Sequence, residues 1–409
     1  MALQDHPLAK DWIAQFTDQN KDEDLARTLI NSLRLVSHNT FHKELDETIR
    51  LAVAALPSPV AFFAARDLSK GESYFPDKKR RPAATGGARE IGSEGILADV
   101  ATNWARSDGD RYLNHPPVNT LRRRCCRSFV LLDDLSGSGQ RIAKFITAML
   151  RTDSILSWWS FGWITFHVVA YAVSEQAEAL VRNTLRTRRS NHADTHVRFW
   201  YSRRPIAGPL LWDEHLREQL EEFCNRYAKK GKVKWQFRRG FRDSMGTLVF
   251  AHGCPNNVPG ILWHNSKIIR PLFRNRTVPT ALASVFDQTG PILSPSGLLT
   301  ALESRNLARG AVIDRLTPMG RNMVLVLSAL RKKVSKPDRL SMATNLSQRV
   351  CDEVVACCLA HGLVDQNRQL TRRGVEELQA VARLGNLPLE PPEFDGSFYF
   401  PQKLRAARE

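Results

Sequence analysis

Two hydrophobic periods alternate along the chain. Near the N-terminus, apolar residues recur three and four positions apart: Trp12, Ile13 and Phe16, then Leu25, Leu29, Ile30 and Leu33, then Leu45, Ile49 and Val53. That is the spacing of helices with one buried face, so residues 8–56 are expected to be helical up to Pro57-Ser58-Pro59. Short, mostly apolar runs then appear at 60–65, 130–132, 164–171 and 196–201, broken only by Thr165, His167, His196 and Arg198. They are too short for helices, and the uniformly apolar ones suit parallel strands covered on both faces. Helical spacing returns between them, through Leu97, Val100, Ala101 and Trp104, at 142–149 and at 175–185. Strands alternating with helices predict an α/β domain built on a doubly wound parallel sheet.

The pattern changes again further along. An amphipathic helix is expected over 212–227, then a basic tract at 229–242, a short strand at 248–250 and a turn at Pro255-Asn256-Asn257. Helices are expected at 321–330, 338–343 and 347–360, the last burying Val350, Val354, Val355 and Cys358. A hairpin follows at 362–371, tipped by Gln366-Asn367-Arg368, and a closing helix at 373–381. Three helices, a hairpin and a helix read as a winged helix-turn-helix with the hairpin as wing. The tail from 388 to 400 mixes prolines with Phe394, Phe398, Tyr399 and Phe400, and is expected to dock in extended form. Four regions result: N-terminal helices at 1–57, the α/β domain at 58–283, the winged helix at 284–387 and the tail at 388–409.

Composition narrows the partners. Of 409 residues, 43% are apolar and 25% charged, as in folded domains. Lys and Arg number 59 against 42 Asp and Glu, and the resulting net charge of +17 favours a polyanionic partner, nucleic acid or a phosphate-rich ligand. No apolar run can span a bilayer, so no membrane partner is expected. The seven cysteines show no zinc or disulfide spacing, including the adjacent pairs Cys125-Cys126 and Cys357-Cys358. They read as buried free thiols of a cytoplasmic protein.

The chemistry concentrates at 130–140. An apolar strand ends in Asp133-Asp134, the loop Ser136-Gly137-Ser138-Gly139-Gln140 follows, and Ile142, Phe145, Ile146 and Met149 then fall at helical spacing. Glycines let backbone N–H groups converge on an anion, and the helix N-terminus adds unpaired donors. The acids have the wrong sign for phosphate and suit ribose hydroxyls or a metal carried with the phosphates.

This strand, acid pair and loop resemble the phosphoribosyl-pyrophosphate motif of type I phosphoribosyltransferases. Together with Gly92-Ser93-Glu94, Pro255-Asn256-Asn257, Trp263 and Pro271-Leu272-Phe273, they make residues 25–280 similar to the PRTase-CE family of bacterial conflict and anti-phage systems, including retron loci. The resemblance implies a type I phosphoribosyltransferase fold, with Asp133 and Asp134 as the catalytic acids facing the ribose. Ser136, Gly137, Ser138, Gly139 and Gln140 would hold the 5′-phosphate. Arg66, beyond the first strand, would face the pyrophosphate, and Lys78, Lys79, Arg80 and Arg81 would lie in a mobile closing loop. Mg²⁺ is implied only as carried by the ligand. Gln140 stands where many active relatives have a phosphate-binding threonine.

Two functions follow as expectations. One is a retron-associated effector that acts on a nucleotide or phosphoribosyl metabolite and is held by a nucleoprotein, a reverse transcriptase with its RNA–DNA product. The other is a non-catalytic adaptor or regulator, as in purine repressors that join the same fold to a winged helix. Lys332, Lys333, Lys336, Arg349 and Arg368 are the candidate contacts to nucleic acid or partner, although Asp352 and Glu353 on the same helix would repel phosphates. Oligomerisation is left open.

Overall fold

The computed structural model describes residues 3–69, 71–85, 93–186, 193–205, 212–286 and 316–384, with single positions 298, 299, 302, 304, 307 and 313. The expected tail from 388 lies outside the described residues. Seven strands are present among those described: Arg34–Val36 (β1), Val60–Ala64 (β2), Tyr112–Asn114 (β3), Ser128–Ser136 (β4), Thr165–Val173 (β5), Val197–Arg203 (β6) and Leu248–Phe250 (β7). Five form one sheet in the order β3-β2-β4-β5-β6, with every pair parallel. β4 therefore lies in the middle, and its carboxyl end carries Asp133 and Asp134.

Alternate residues of the central strands feed two cores, because strand side chains alternate between faces. On one face Phe62, Val130, Leu132, Val169 and Tyr171 pack against helices His38–Ala54 (α3) and Ser93–Ser107 (α4). On the other, Phe63, Phe129, Leu131, Phe166 and Val168 meet Val118–Arg123 (α5), Gln140–Met149 (α6), Asp153–Ser160 (α7) and Glu175–Arg186 (α8). Helices on both faces make the sheet doubly wound, as the apolar runs predicted.

The N-terminal stretch departs from prediction. Helices Pro7–Ile13 (α1) and Asp22–Asn31 (α2) form, but β1 breaks the helical run and pairs in parallel with β7. Three residues are too few to show a period of two, and their partner is remote in the chain. These helices also share a core with the helix Glu214–Lys230 (α9) and residues up to 286, where Phe16 meets Phe223 and Tyr227 edge-on at 5.1 and 4.7 Å. Asp22 secures the contact, accepting from the Tyr227 hydroxyl and from Arg226, each at 2.7 Å.

Helices Pro318–Arg331 (α10), Pro337–Thr344 (α11), Gln348–Ala360 (α12) and Arg372–Leu384 (α13) enclose a separate core that includes Val326, Leu340, Cys351, Val354, Cys358 and Leu378. An antiparallel bridge from Val364 to Leu370 closes the wing. All seven cysteines are free; Cys125 is exposed and Cys357 half-buried, contrary to the expectation of uniform burial. Cys125 sits at φ 50° just past α5, in a turn outside the apolar face. No helix among the described residues is long and apolar enough to cross a membrane.

Candidate functional site

The site grows from β4 outward. Asp133 still lies within the sheet, opposite Ala170 of β5, and is fully buried. The chain turns through Ser136, Gly137, Ser138 and Gly139 and enters α6 at Gln140. Gly139 adopts φ 73°, and a Cβ there would lie 2.6 Å from the Ala177 carbonyl oxygen. Only glycine satisfies both the left-handed backbone and the close approach to α8. Ser174 fastens the loop from that side: its hydroxyl donates to the Gly137 carbonyl, its backbone N–H to that of Ser136 at 3.1 Å. The Ser138 hydroxyl accepts from the Gln140 N–H at 3.4 Å.

Reversing direction between β4 and α6 brings back a residue that sequence reasoning passed over. Arg141 donates from a single nitrogen, Nη2, to Oδ1 of both Asp133 and Asp134, the latter at 2.6 Å. Its signal was faint, a lone basic residue off the apolar face in the first turn of α6. Only the fold places it beside acids seven and eight positions earlier. His252, just past β7, is the second omission: Nε2 lies 3.6 Å from Asp134 Oδ2, and the ring stacks on Phe250 at 4.9 Å.

These neighbours split the acids. Burial alone would raise both carboxyls. For Asp134 the Arg141 guanidinium and His252 outweigh burial and hold it well below the usual carboxylate range. For Asp133 burial prevails, reinforced by the charge of Asp134 and opposed by Arg141, and the carboxyl is pushed up. The pair thus holds one firmly ionised carboxylate beside one that keeps its proton more readily.

Buried polar atoms without partners surround the loop. They are Ser136 Oγ, Asp133 Oδ2 and Asn257 Oδ1. Asn257 belongs to the expected Pro-Asn-Asn turn, but it does more than turn the chain. Its amide faces the loop, since a methyl on Gly137 would lie 3.8 Å from Nδ2. Gly246 and Gly240 cradle it so closely that Cβ atoms there would come within 2.6 and 2.0 Å. Unpartnered buried polar atoms are rare, and three beside one anion loop mark it as a candidate site, although all three are closed off from solvent as arranged.

The remaining sequence candidates are more dispersed. Arg66 lies beyond β2, buried, with Nε donating to the Ala83 carbonyl at 3.3 Å and Nη2 3.4 Å from Glu72. Next to it, the Asp67 N–H donates to the buried Glu94 carboxylate at 3.1 Å. Lys78, Lys79, Arg80 and Arg81 are exposed. The segment leading to them is not the loose loop expected, because Tyr74 and Phe75 are buried in the α6 face of the sheet, Tyr74 against Phe145 at 4.7 Å. The aromatic residues in that stretch outweigh its polar surroundings. In the winged helix, Lys332, Lys333 and Lys336 are exposed, whereas Arg349 pairs with Glu353 at 3.0 Å and Arg368 with Asp352 at 3.3 Å.

No group of three or more His, Cys, Asp or Glu that could hold a metal ion is present among the described residues. The acid pair as arranged does not offer open oxygens to a ligand-carried Mg²⁺ either. Both Oδ1 atoms are engaged by Arg141, Asp133 Oδ2 is sealed from solvent, and Asp134 Oδ2 faces His252.

A parallel sheet with an acid pair and glycine loop at the carboxyl end of its middle strand, joined to a winged helix, defines a phosphoribosyltransferase-like α/β protein. A family model described as PRTase-CE matches residues 9–275, more than half of the chain, which belongs to that family. A second, described as wHTH-PRTase associated, matches residues 324–406. No curated protein and no solved structure matches the chain.

Proposed function

We propose that the chain binds and processes a phosphoribosyl metabolite or nucleotide at Asp133, Asp134 and the Ser136–Gly139 loop, as an effector of a bacterial anti-phage system. One observation carries this reading: the buried acid pair adjoins an anion loop whose surrounding polar atoms, Ser136 Oγ and Asn257 Oδ1, have no hydrogen-bond partner among the described residues. The loop N–H groups and the start of α6 suit a 5′-phosphate, and the acids suit the ribose hydroxyls. Positioning and electrostatic stabilisation of a departing pyrophosphate would supply most of the catalysis.

The winged helix supports a tether to a nucleoprotein such as a reverse transcriptase with its RNA–DNA product. Lys333 and Lys336 are exposed and form no ion pair among the described residues, which suits contact with a phosphate backbone. A second reading, a non-catalytic adaptor that binds the same ligand, is favoured by Arg141, which already neutralises the acids. Calorimetry with phosphoribosyl pyrophosphate, followed by an assay for pyrophosphate release with added bases and nucleosides, separates the two. Binding with release supports the effector; binding without it supports the adaptor. In cells carrying the neighbouring genes, Asp133→Asn/Asp134→Asn should abolish protection or toxicity, and unchanged protection would remove the enzymatic reading.

A further inference from the structure

The acid pair already has a cation. Arg141 reaches Asp133 and Asp134 through Nη2 alone, which leaves Nη1 and Nε without a hydrogen bond among the described residues. Its side chain is 27% exposed, whereas those of Asp133 and Asp134 are 1% and 13%. Of these three side chains, that of Arg141 is the one solvent, and hence a ligand, reaches most easily. It sits in the first turn of α6, two residues after Gly139, and so borders both the acids and the anion loop.

Charge arithmetic decides what such a site prefers. Two carboxylates alone would attract a dication, but with Arg141 between them the trio carries at most one negative charge. Mg²⁺ also demands nearly octahedral oxygen ligands at about 2.0–2.1 Å and gives up water reluctantly. Here a ligand-borne ion would first have to break the charge-assisted hydrogen bond from Arg141 to reach either Oδ1. A planar guanidinium with free N–H donors instead suits phosphate oxygens directly.

Resting on the phosphoribosyl reading above, we propose that Arg141 is a specificity-determining residue that replaces the divalent cation. It fixes the acid pair for the ribose and offers its free donors to the phosphate groups, so that ribose 5-phosphate and phosphoribosyl pyrophosphate bind without Mg²⁺. The acids keep their counter-ion throughout, and the ligand arrives as a bare anion.

Calorimetry on the full chain tests this with ribose 5-phosphate and phosphoribosyl pyrophosphate, each in excess Mg²⁺ and in excess EDTA. The parent should show the same Kd in both media to within about threefold, less than one charge-assisted hydrogen bond. Arg141→Gln should bind about tenfold or more weakly in EDTA and recover part of the loss in Mg²⁺, because the acids are then free to take the ion. Arg141→Lys keeps the charge and guards against misfolding of the glutamine variant; it should bind weakly but still without regard to Mg²⁺. Binding by the parent only in Mg²⁺, or an Arg141→Gln variant as tight as the parent in EDTA, overturns the inference and leaves the phosphoribosyl site standing. No binding of either ligand in either medium overturns both.

Discussion

Arg203 Nη1 donates to the backbone carbonyl of Asn345 at 2.9 Å. The contact joins the end of β6 to the turn between α11 and α12, and Arg34 reinforces it by donating to the Asn345 side-chain oxygen. Glu44 of α3 accepts from Arg203 in turn, with Nε at 2.8 Å. The helix-turn-helix is thus docked by its own turn on the phosphoribosyltransferase-like domain. α12, the helix that in a DNA reader would enter the major groove, also packs beside β6.

Asn345 sits at φ 57°, where glycine is tolerated and alanine is not. Asn345→Gly should keep the turn while losing the link to Arg34. Amide exchange over 337–360 should accelerate and the rest of the chain should not. Arg203→Ala is harsher, since it strands the largely buried Glu44, and should cost about 3–5 kcal/mol in thermal or denaturant unfolding. A loss within the range of a surface substitution would show that the docking contributes nothing.

With α12 held this way, nucleic acid should meet the exposed turn at 332–336 and read no sequence. Lys333→Glu/Lys336→Glu should weaken binding of single- and double-stranded probes alike. It should also lower the dependence of log K on log salt by about 0.7–0.9 per lost phosphate contact. Filter binding or anisotropy across a salt series measures both. Parent binding that does not respond to salt would remove the nucleic-acid tether.

Gly139→Ala introduces a Cβ at φ 73° into contact with the Ala177 backbone. The strained conformation alone should cost about 1–3 kcal/mol, and relief requires the loop to move away from α8. Ligand binding should therefore fall further than stability does. Calorimetry with ribose 5-phosphate, compared with the shift in melting temperature, distinguishes the two effects. A variant that binds as the parent does would show that the loop does not hold phosphate.

His115 predicts the response to acid. It is fully buried at the end of β3, where Nε2 accepts from the Ala64 N–H at 2.9 Å and Nδ1 lies against the Asn114 side-chain oxygen. Burial, aided by Arg81 and Arg66, lowers its pKa from 6.5 to about 3, and burial lowers His167 to about 4. The folded state binds these protons less tightly than the unfolded one. Their contribution is thus complete above pH 6.5 and lost as pH falls toward the folded values, at about 1.4 kcal/mol per pH unit for each ring. His115→Gln should remove about one proton's worth of that slope in melts between pH 6.5 and 4.5. An unchanged slope would place the acid sensitivity elsewhere.

Much of this was legible beforehand, for local reasons. Mostly apolar runs identified β2, β4 and β5, because strands covered by helices on both faces bury nearly every side chain; β6, at the sheet edge, shows this least and carries the exposed Arg198. Small residues after Asp133-Asp134 identified the anion loop, because only glycine takes the backbone that Gly139 takes. The short strands β1, β3 and β7 have too few residues to show a period, and β1 exists only because β7 comes beside it.

The acid pair and loop, the doubly wound sheet and the winged helix were determined by sequence, since each depends on residues close together in the chain. Tertiary structure alone decided what surrounds them. It brought Arg141 and His252 onto Asp134, turned Asn257 toward Gly137 and set Arg203 against Asn345. Electrostatics and hydrogen bonding act over a few ångströms of space, whatever the separation along the chain.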